Sequence, residues 1–217
     1  MIPISKGGVG GMTIKQVKVG YDNFSYILFC KQEATAAIVD PGYDAKKLLG
    51  YISTNKLHLE YLILTHYHHD HTSECKTIKG QMPSVKIVAS EKDGKHLNVT
   101  PDIVVSDGSH VKLGTMSLDF LLTPGHTAGS ICIVIDNEAL LTGDTLFIGD
   151  CGRTDLPGGD AKEMFHSLHD KIMKLPDDLI VYPGHDYGDV PYDSLGHQKA
   201  TNKTLLARNL KEFSLIP

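Results

Sequence analysis

A chain of 217 residues, 41% hydrophobic and 22% charged, is long enough to bury one large core. Its formal net charge of −5, with Lys and Arg scattered along the chain, offers no broad positive surface for a phosphate backbone and argues against a nucleic-acid partner. The longest apolar stretches, Tyr61 to Leu64 and Ile131 to Ile135, fall far short of the roughly 20 residues that span a bilayer, so no membrane association is expected.

Residues 1–11 are Gly-rich and without periodicity, which reads as a loose arm or cloning extension ahead of a single domain over 12–217, with Met12 a candidate start. No apolar run follows that could serve as the core of a secretory signal. Short strand patterns over Thr13 to Val19, Ser25 to Cys30 and Thr35 to Val39 form a meander that stops at Asp40-Pro41-Gly42, a turn signal. Asp44 to Lys56 has helical spacing, with Leu48, Leu49 and Ile52 on one face, and Tyr61 to Thr65 is a buried-strand pattern. A helix is expected over Thr72 to Lys79, a strand over Val85 to Ala89, and Val104 to Val111 is interrupted by Asp107-Gly108. The second half repeats this grammar with strands at Ser117 to Leu122, Ser130 to Ile135, Leu140 to Thr142 and Leu179 to Tyr182. Helices are expected over Ala161 to Lys174 and, closing the chain, over Ser194 to Phe213. Strand groups in both halves with helices between and after them predict an α/β fold of two packed sheets with helices outside.

Cys30, Cys75, Cys132 and Cys151 are widely spaced and form no Cys-x-x-Cys pair; read as reduced thiols, they point to a cytoplasmic protein. Histidine is the unusual component, with 12 residues. His66, His68, Asp70 and His71 follow a buried strand in the run T-H-Y-H-H-D-H-T. Residues two apart in extended chain face the same way, so His66 and His68 converge while Asp70 and His71 reach them from the following turn. His126 in T-P-G-H-T, Asp144 in L-T-G-D-T and His185 in Y-P-G-H-D recur in the same position, just past an apolar strand. Imidazole and carboxylate together suit zinc or iron. A surface patch of histidines would not repeat that context.

These motifs resemble the metallo-β-lactamase fold superfamily, whose H-x-H-x-D-H signature is matched by His66 to His71, and whose remaining metal positions are matched in order by His126, Asp144 and His185. The resemblance implies an αβ/βα sandwich of two mixed sheets flanked by helices, with the metal at one edge. His69 fills the variable position of the signature and is not expected to bind. Phe147 to Asp155, His185-Asp186-Tyr187, Ser194-Leu195-Gly196 and Thr201-Asn202 look like the persulfide dioxygenase branch, close to hydroxyacylglutathione hydrolases. That branch usually continues Thr-Asn with Pro, where this chain has Lys203, so carrier recognition is expected to differ. Only 31 residues follow Asp186, too few for the extra helical domain with which hydroxyacylglutathione hydrolases hold glutathione.

The resemblance implies one Fe(II) per chain, held by His66, His126 and Asp144, and oxidation by O2 of a low-molecular-weight thiol persulfide of the glutathione type to sulfite and thiol. His68, Asp70, His71 and His185 then orient the ligands, the water or the substrate, with Asp70 counted among the catalytic residues. The alternative is a binuclear thioester hydrolase with two Zn(II), in which the same residues hold the second ion and Asp144 bridges. A non-catalytic metal-binding protein is a third reading, disfavoured by the complete ligand set. Arg153 reads equally as the grip on a carrier carboxylate or as an ion-pair partner of Asp155. Tyr187 reads as a wall and hydroxyl contact of the substrate channel or as a packed core residue. Cys151 is a weaker candidate for meeting sulfane sulfur, a small buried hydrophobe being the plainer reading. A homodimer is left open, dimers being common among soluble enzymes.

Overall fold

The computed structural model describes residues 11–216, so all but the last residue of the expected N-terminal arm lies outside the described residues. Two six-stranded sheets face each other. The first runs in the order β1-β2-β3-β4-β5-β6, from β1 (Met12–Val19), β2 (Asn23–Cys30) and β3 (Thr35–Val39), an antiparallel meander, to β4 (His58–Ile63), β5 (Lys86–Ser90) and β6 (Ile103–Val105), added in parallel. The second runs β12-β11-β10-β9-β8-β7, comprising β7 (His110–Leu113), β8 (Met116–Leu122), β9 (Ile131–Ile135), β10 (Ala139–Gly143), β11 (Ile180–Pro183) and β12 (Asp193–Ser194). This is the expected sandwich of two mixed sheets.

Strand β2 is buried at every position because it is covered on both faces. Its alternate residues Phe24, Tyr26 and Leu28 point into the core between the sheets, where they meet Leu118 and Phe120 of β8 and Ile131, Ile133 and Ile135 of β9. Ile27 and Phe29 point the other way, onto a layer with Leu48 and Ile52 of α1 (Ala45–Thr54) and Ile78 of α3 (Cys75–Gln81). A period-two pattern with both phases apolar thus specifies a strand covered on both sides. On the outer face of the second sheet Cys132, Val134 and Leu140 pack under Met164 and Leu168 of the long helical segment, Leu195 of α6 (Leu195–Thr201) and Phe213 of α7 (Leu210–Phe213).

Two helices differ from expectation, and the stretch interrupted at Asp107-Gly108 divides as expected. The helix expected over Thr72 to Lys79 is two pieces, α2 (His69–Thr72) and α3, because the Pro41-Gly42 turn inserts at their junction and the amide of Glu74 donates to the carbonyl of Pro41. Asp70 and His71 therefore sit on a short helix. The closing helix is broken after Thr201: the Asn202 side chain donates to the carbonyls of Phe147 and Asp150 and accepts from the amide and hydroxyl of Thr204, competing with helical pairing. The stretch from Val104 to Val111 divides between the sheets, β6 closing the first and β7 opening the second. The helix expected over Ala161 to Lys174 is present as α5 (Ala161–His166), capped by Asp160, and continues through a wider turn at Ser167–Lys171 and a tighter one at Ile172–Lys174. One short helix, α4 (Glu91–Gly94), was not anticipated.

Candidate metal centre

Parallel pairing of β3 with β4 and of β10 with β11 puts the ends of these strands on one edge of the sandwich, where ligands of α/β sheets collect. Asp40 leaves β3, Thr65 and His66 follow β4, His126 follows β8, Asp144 follows β10 and His185 follows β11. Hydrogen bonds between the two halves fix these ends against one another: the amide of Ile131 donates to the carbonyl of Thr65, and the amide of Phe24 to that of Gly184.

All seven residues singled out from the sequence meet there, in two groups. The ring nitrogens of His66, His68 and His126 converge, Nδ1 of His68 lying 2.8 Å from Nε2 of His126. Asp70, His71 and His185 form the second group, with Nε2 of His71 and His185 3.2 Å apart. Asp144 stands between: its carboxylate is 3.5 Å from Nε2 of His126, 3.3 Å from Nε2 of His71 and 3.3 Å from Nε2 of His185. His69, on the exposed side of α2, belongs to neither group.

The tautomers are set from outside. Nδ1 of His126 donates to the carbonyl of Arg153 at 2.8 Å, and Nδ1 of His71 faces Asp40 at 3.0 Å. The hydroxyl of Thr65 donates to Asp40, which leaves it to accept from Nδ1 of His66 at 3.1 Å. Nδ1 of His185 lies 3.3 Å from Asp22. With each outer nitrogen so occupied, the inner Nε2 presents a lone pair to the centre, the arrangement that metal-ligating histidines adopt. Nε2 of His66 and Oδ1 of Asp144 are buried without a hydrogen-bond partner, a cost that a cation at the centre would remove. The donor set therefore fits a metal ion. Charge divides the centre: burial and the neighbouring His71 push His66 well below the ordinary imidazole value, while against burial the carboxylates of Asp144, Asp40 and Asp70 raise His71 to about 9 and those of Asp144 and Asp70 raise His185 to about 10. Asp144, although buried, is held well below the usual carboxylate range by His71, His185 and His66; a cation at the centre would take the place of the protons on His71 and His185.

Space constrains the centre as tightly as charge. A Cβ on Gly184 would stand 2.2 Å from Oδ1 of Asp144, and one on Gly42 would overlap the carbonyl oxygen of Asp70. The glycine of Y-P-G-H is thus required by close approach.

A cavity of about 580 Å³ opens on His126 and Asp144 and is walled by Phe147, Cys151, Arg153, Tyr187 and, from the last turns of the chain, Phe213 and Ile216. Arg153 makes a bidentate ion pair with Asp155 at 2.7 and 2.8 Å. Tyr187, 56% exposed, stacks on His185 with ring centroids 4.7 Å apart and meets Phe147 edge-on. Cys151 lines the cavity, and burial pushes its thiol up to about 12.

Several participants escaped the sequence reading. Asp40 and Thr65 carry the outer bonds of His71 and His66, and the side-chain amide of Asn23 donates to Asp70 at 2.9 Å. Buried Asp93 on α4 accepts from the amide of Tyr67 and the hydroxyl of Thr127, tying the His66–His68 segment to the loop after His126. Asp40 had a usable signal, since it too is a ligand-type residue just past an apolar strand. Phe213 and Ile216 had none.

Two facing mixed sheets with helices outside and a seven-residue His/Asp centre at one edge define a metal-binding enzyme scaffold of the metallo-β-lactamase type. The Metallo-beta-lactamase superfamily profile matches residues 20–185, and the chain belongs to that superfamily. It is 32% identical over 184 residues to the mitochondrial persulfide dioxygenase ETHE1 of Homo sapiens, covering 84% of this chain and 71% of that protein. It is 35% identical over 173 residues to the probable hydroxyacylglutathione hydrolase glo2 of Schizosaccharomyces pombe, covering 76% and 64%. The crystal structure of ETHE1 from Myxococcus xanthus superposes with a TM-score of 0.84 at 26% identity, over 94% of this chain and 92% of that one.

Proposed function

We propose that the protein is an Fe(II)-dependent persulfide dioxygenase, converting a low-molecular-weight thiol persulfide, dioxygen and water to the thiol, sulfite and two protons. The observation that carries this reading is the placement of the cavity. It opens on His126 and Asp144, members with His66 of a two-imidazole, one-carboxylate set, and its wall includes Tyr187, which stacks on His185. Substrate thus approaches beside the two-imidazole, one-carboxylate set that would hold a single ion. Similarity to named persulfide dioxygenases supports it.

Bound iron would supply the redox centre at which the outer sulfur and dioxygen are brought together. The chain's own residues do the rest. His126 and His66 are held in one tautomer by the carbonyl of Arg153 and the hydroxyl of Thr65, so the donor geometry is formed before substrate arrives. Phe147, Phe213 and Ile216 give the cavity an apolar wall. Tyr187 bounds its mouth and offers a hydroxyl to the carrier. Asp70, fixed by Asn23, accepts beside His71 and His185.

A second reading rests on a specific observation, the division of the donors into two groups with Asp144 between them. That geometry also suits two Zn(II) ions and hydrolysis of a thioester by a metal-bound hydroxide. Anaerobic purification with metal analysis, followed by oxygen uptake with a thiol persulfide and by thioester hydrolysis, separates the two. One iron per chain with persulfide-dependent oxygen consumption is expected; two zinc ions with thioester cleavage and no oxygen uptake would overturn the dioxygenase reading.

A further inference from the structure

The cavity beside the centre carries a charge balance that bears on its ligand. Among the described residues lining it, Arg153 is the one cation, against the carboxylates of Asp144, Asp150 and Asp155. Asp144 faces the metal centre. Arg153 is engaged by both oxygens of Asp155, two residues along the same loop. Asp150 is matched by Lys203, whose Nζ stands 2.8 Å away; this is the lysine that replaces the proline usual in the branch. Arg153 and Lys203 are therefore both paired within the chain, and the remaining described wall is apolar or uncharged, with Phe147, Phe213, Ile216, Ala161 and the hydroxyl-bearing Thr204 and Ser214.

Glutathione brings two carboxylates and one ammonium into such a site, in addition to the persulfide sulfur that the metal would take. Asp155 takes Nε and Nη2 of Arg153, so a carrier carboxylate is left the Nη1 side of the guanidinium and stands beside the Asp155 carboxylate. Partial pairing against a like charge offsets little of the cost of desolvating it. A thiol with amides, methyl groups and no charge meets no such penalty, and a cavity of about 580 Å³ has the volume of an ordinary small-molecule site.

We infer that the carrier of the substrate sulfur is an uncharged, amide-bearing thiol of the pantetheine kind, held by the Phe147–Phe213–Ile216 wall, and not a peptide thiol bearing two carboxylates. The inference rests on the dioxygenase reading only in taking this cavity as the carrier site, and binding can be measured apart from turnover.

The test is anaerobic calorimetric titration of the iron-loaded protein with reduced pantetheine and with reduced glutathione, neither of which turns over. Pantetheine is expected to bind at least about tenfold more tightly. Asp155→Asn, an exposed substitution that removes the carboxylate paired with Arg153, should raise glutathione affinity by about tenfold relative to pantetheine, since a charge-assisted pair is gained only with a carboxylate. Glutathione binding as tightly as pantetheine in the parent, with no response to Asp155→Asn, would overturn the inference. Oxygen uptake with the two persulfides distinguishes the failures. Tight pantetheine binding without oxygen uptake from either persulfide leaves the carrier assignment standing and removes the dioxygenase. Oxygen uptake with a lower KM for glutathione persulfide removes the carrier assignment alone.

Discussion

Oδ2 of Asp40 stands 3.0 Å from Nδ1 of His71 and also accepts from the hydroxyl of Thr65 at 2.6 Å, while Oδ1 accepts from the Thr65 amide at 2.7 Å. One buried carboxylate thereby orients His71 directly and His66 through Thr65. Asp40→Ala leaves both donors of Thr65 and the outer nitrogen of His71 unsatisfied in a dry environment, at about 1–3 kcal/mol each when nothing replaces the acceptor. The variant is expected to lose roughly 10–100-fold in metal affinity and to unfold at lower urea. Metal content per chain after dialysis against a graded chelator series measures the first effect; full metal retention would show that Thr65 and His71 hold their rotamers without Asp40.

Gly184→Ala separates space from charge. The added methyl would lie 2.2 Å from Oδ1 of Asp144, and Asp144 faces histidines of both donor groups. A shift of that carboxylate by about an ångström is expected to cost on the order of 100-fold in kcat. Secondary structure by circular dichroism should be unchanged, and the metal-bound spectrum is the direct readout of the displaced ligand.

Tyr67 fills the first variable position of the histidine signature. Its hydroxyl donates to the carbonyl of Pro157 at 2.8 Å and its ring meets those of His68 and His96. It thus ties the loop that carries Arg153 to the histidine segment. Tyr67→Phe removes one partly exposed hydrogen bond worth about 1 kcal/mol, so KM should rise by up to about fivefold while kcat changes less. An equal fall in kcat with KM constant would place Tyr67 at the reacting atoms instead.

The residues that meet at the centre were legible because most of them follow a strand end, and strand ends are announced by local apolar runs; Asp70 and His71, carried on α2, belong to the run that begins at such an end. The same logic reached the sandwich, since strands with two apolar phases must be covered on both faces. What was illegible is carried by contacts distant in sequence. Asn202 ends the closing helix through bonds to residues 147 and 150, and no local pattern marks a polar side chain that will cap a remote loop. Asp93 lies in Glu91-Lys92-Asp93-Gly94, a charged run that reads as solvated surface until Tyr67 and Thr127 are seen to bury it. Arg153 had two readings that only geometry separates, and the structure shows it paired with Asp155.

The buried thiols predict an alkaline limit to stability. Burial pushes Cys132 up to about 11 and raises Cys75 as well, whereas an unfolded cysteine titrates near 9. Above pH 9 the unfolded chain therefore releases thiol protons that the folded chain retains. Proton binding is then greater in the folded state, so stability falls as pH rises from 9 towards 11, by up to ~1.4 kcal/mol per pH unit for each such thiol. Below pH 9 both states keep the proton and this contribution is constant. Cys132 is fully buried on the outer face of β9, where its thiol meets the Thr123 hydroxyl and the Thr142 carbonyl, and Cys132→Ala removes that one ionisable group. Urea denaturation of parent and variant at pH 8, 9, 10 and 10.5 should show a fixed offset at the lowest pH and a convergence above pH 9, because the variant lacks one ionisable thiol. Parallel pH dependences in the two proteins would mean that the Cys132 thiol ionises as readily in the folded chain as in water, and that the core beneath α5 is wetter than its packing implies.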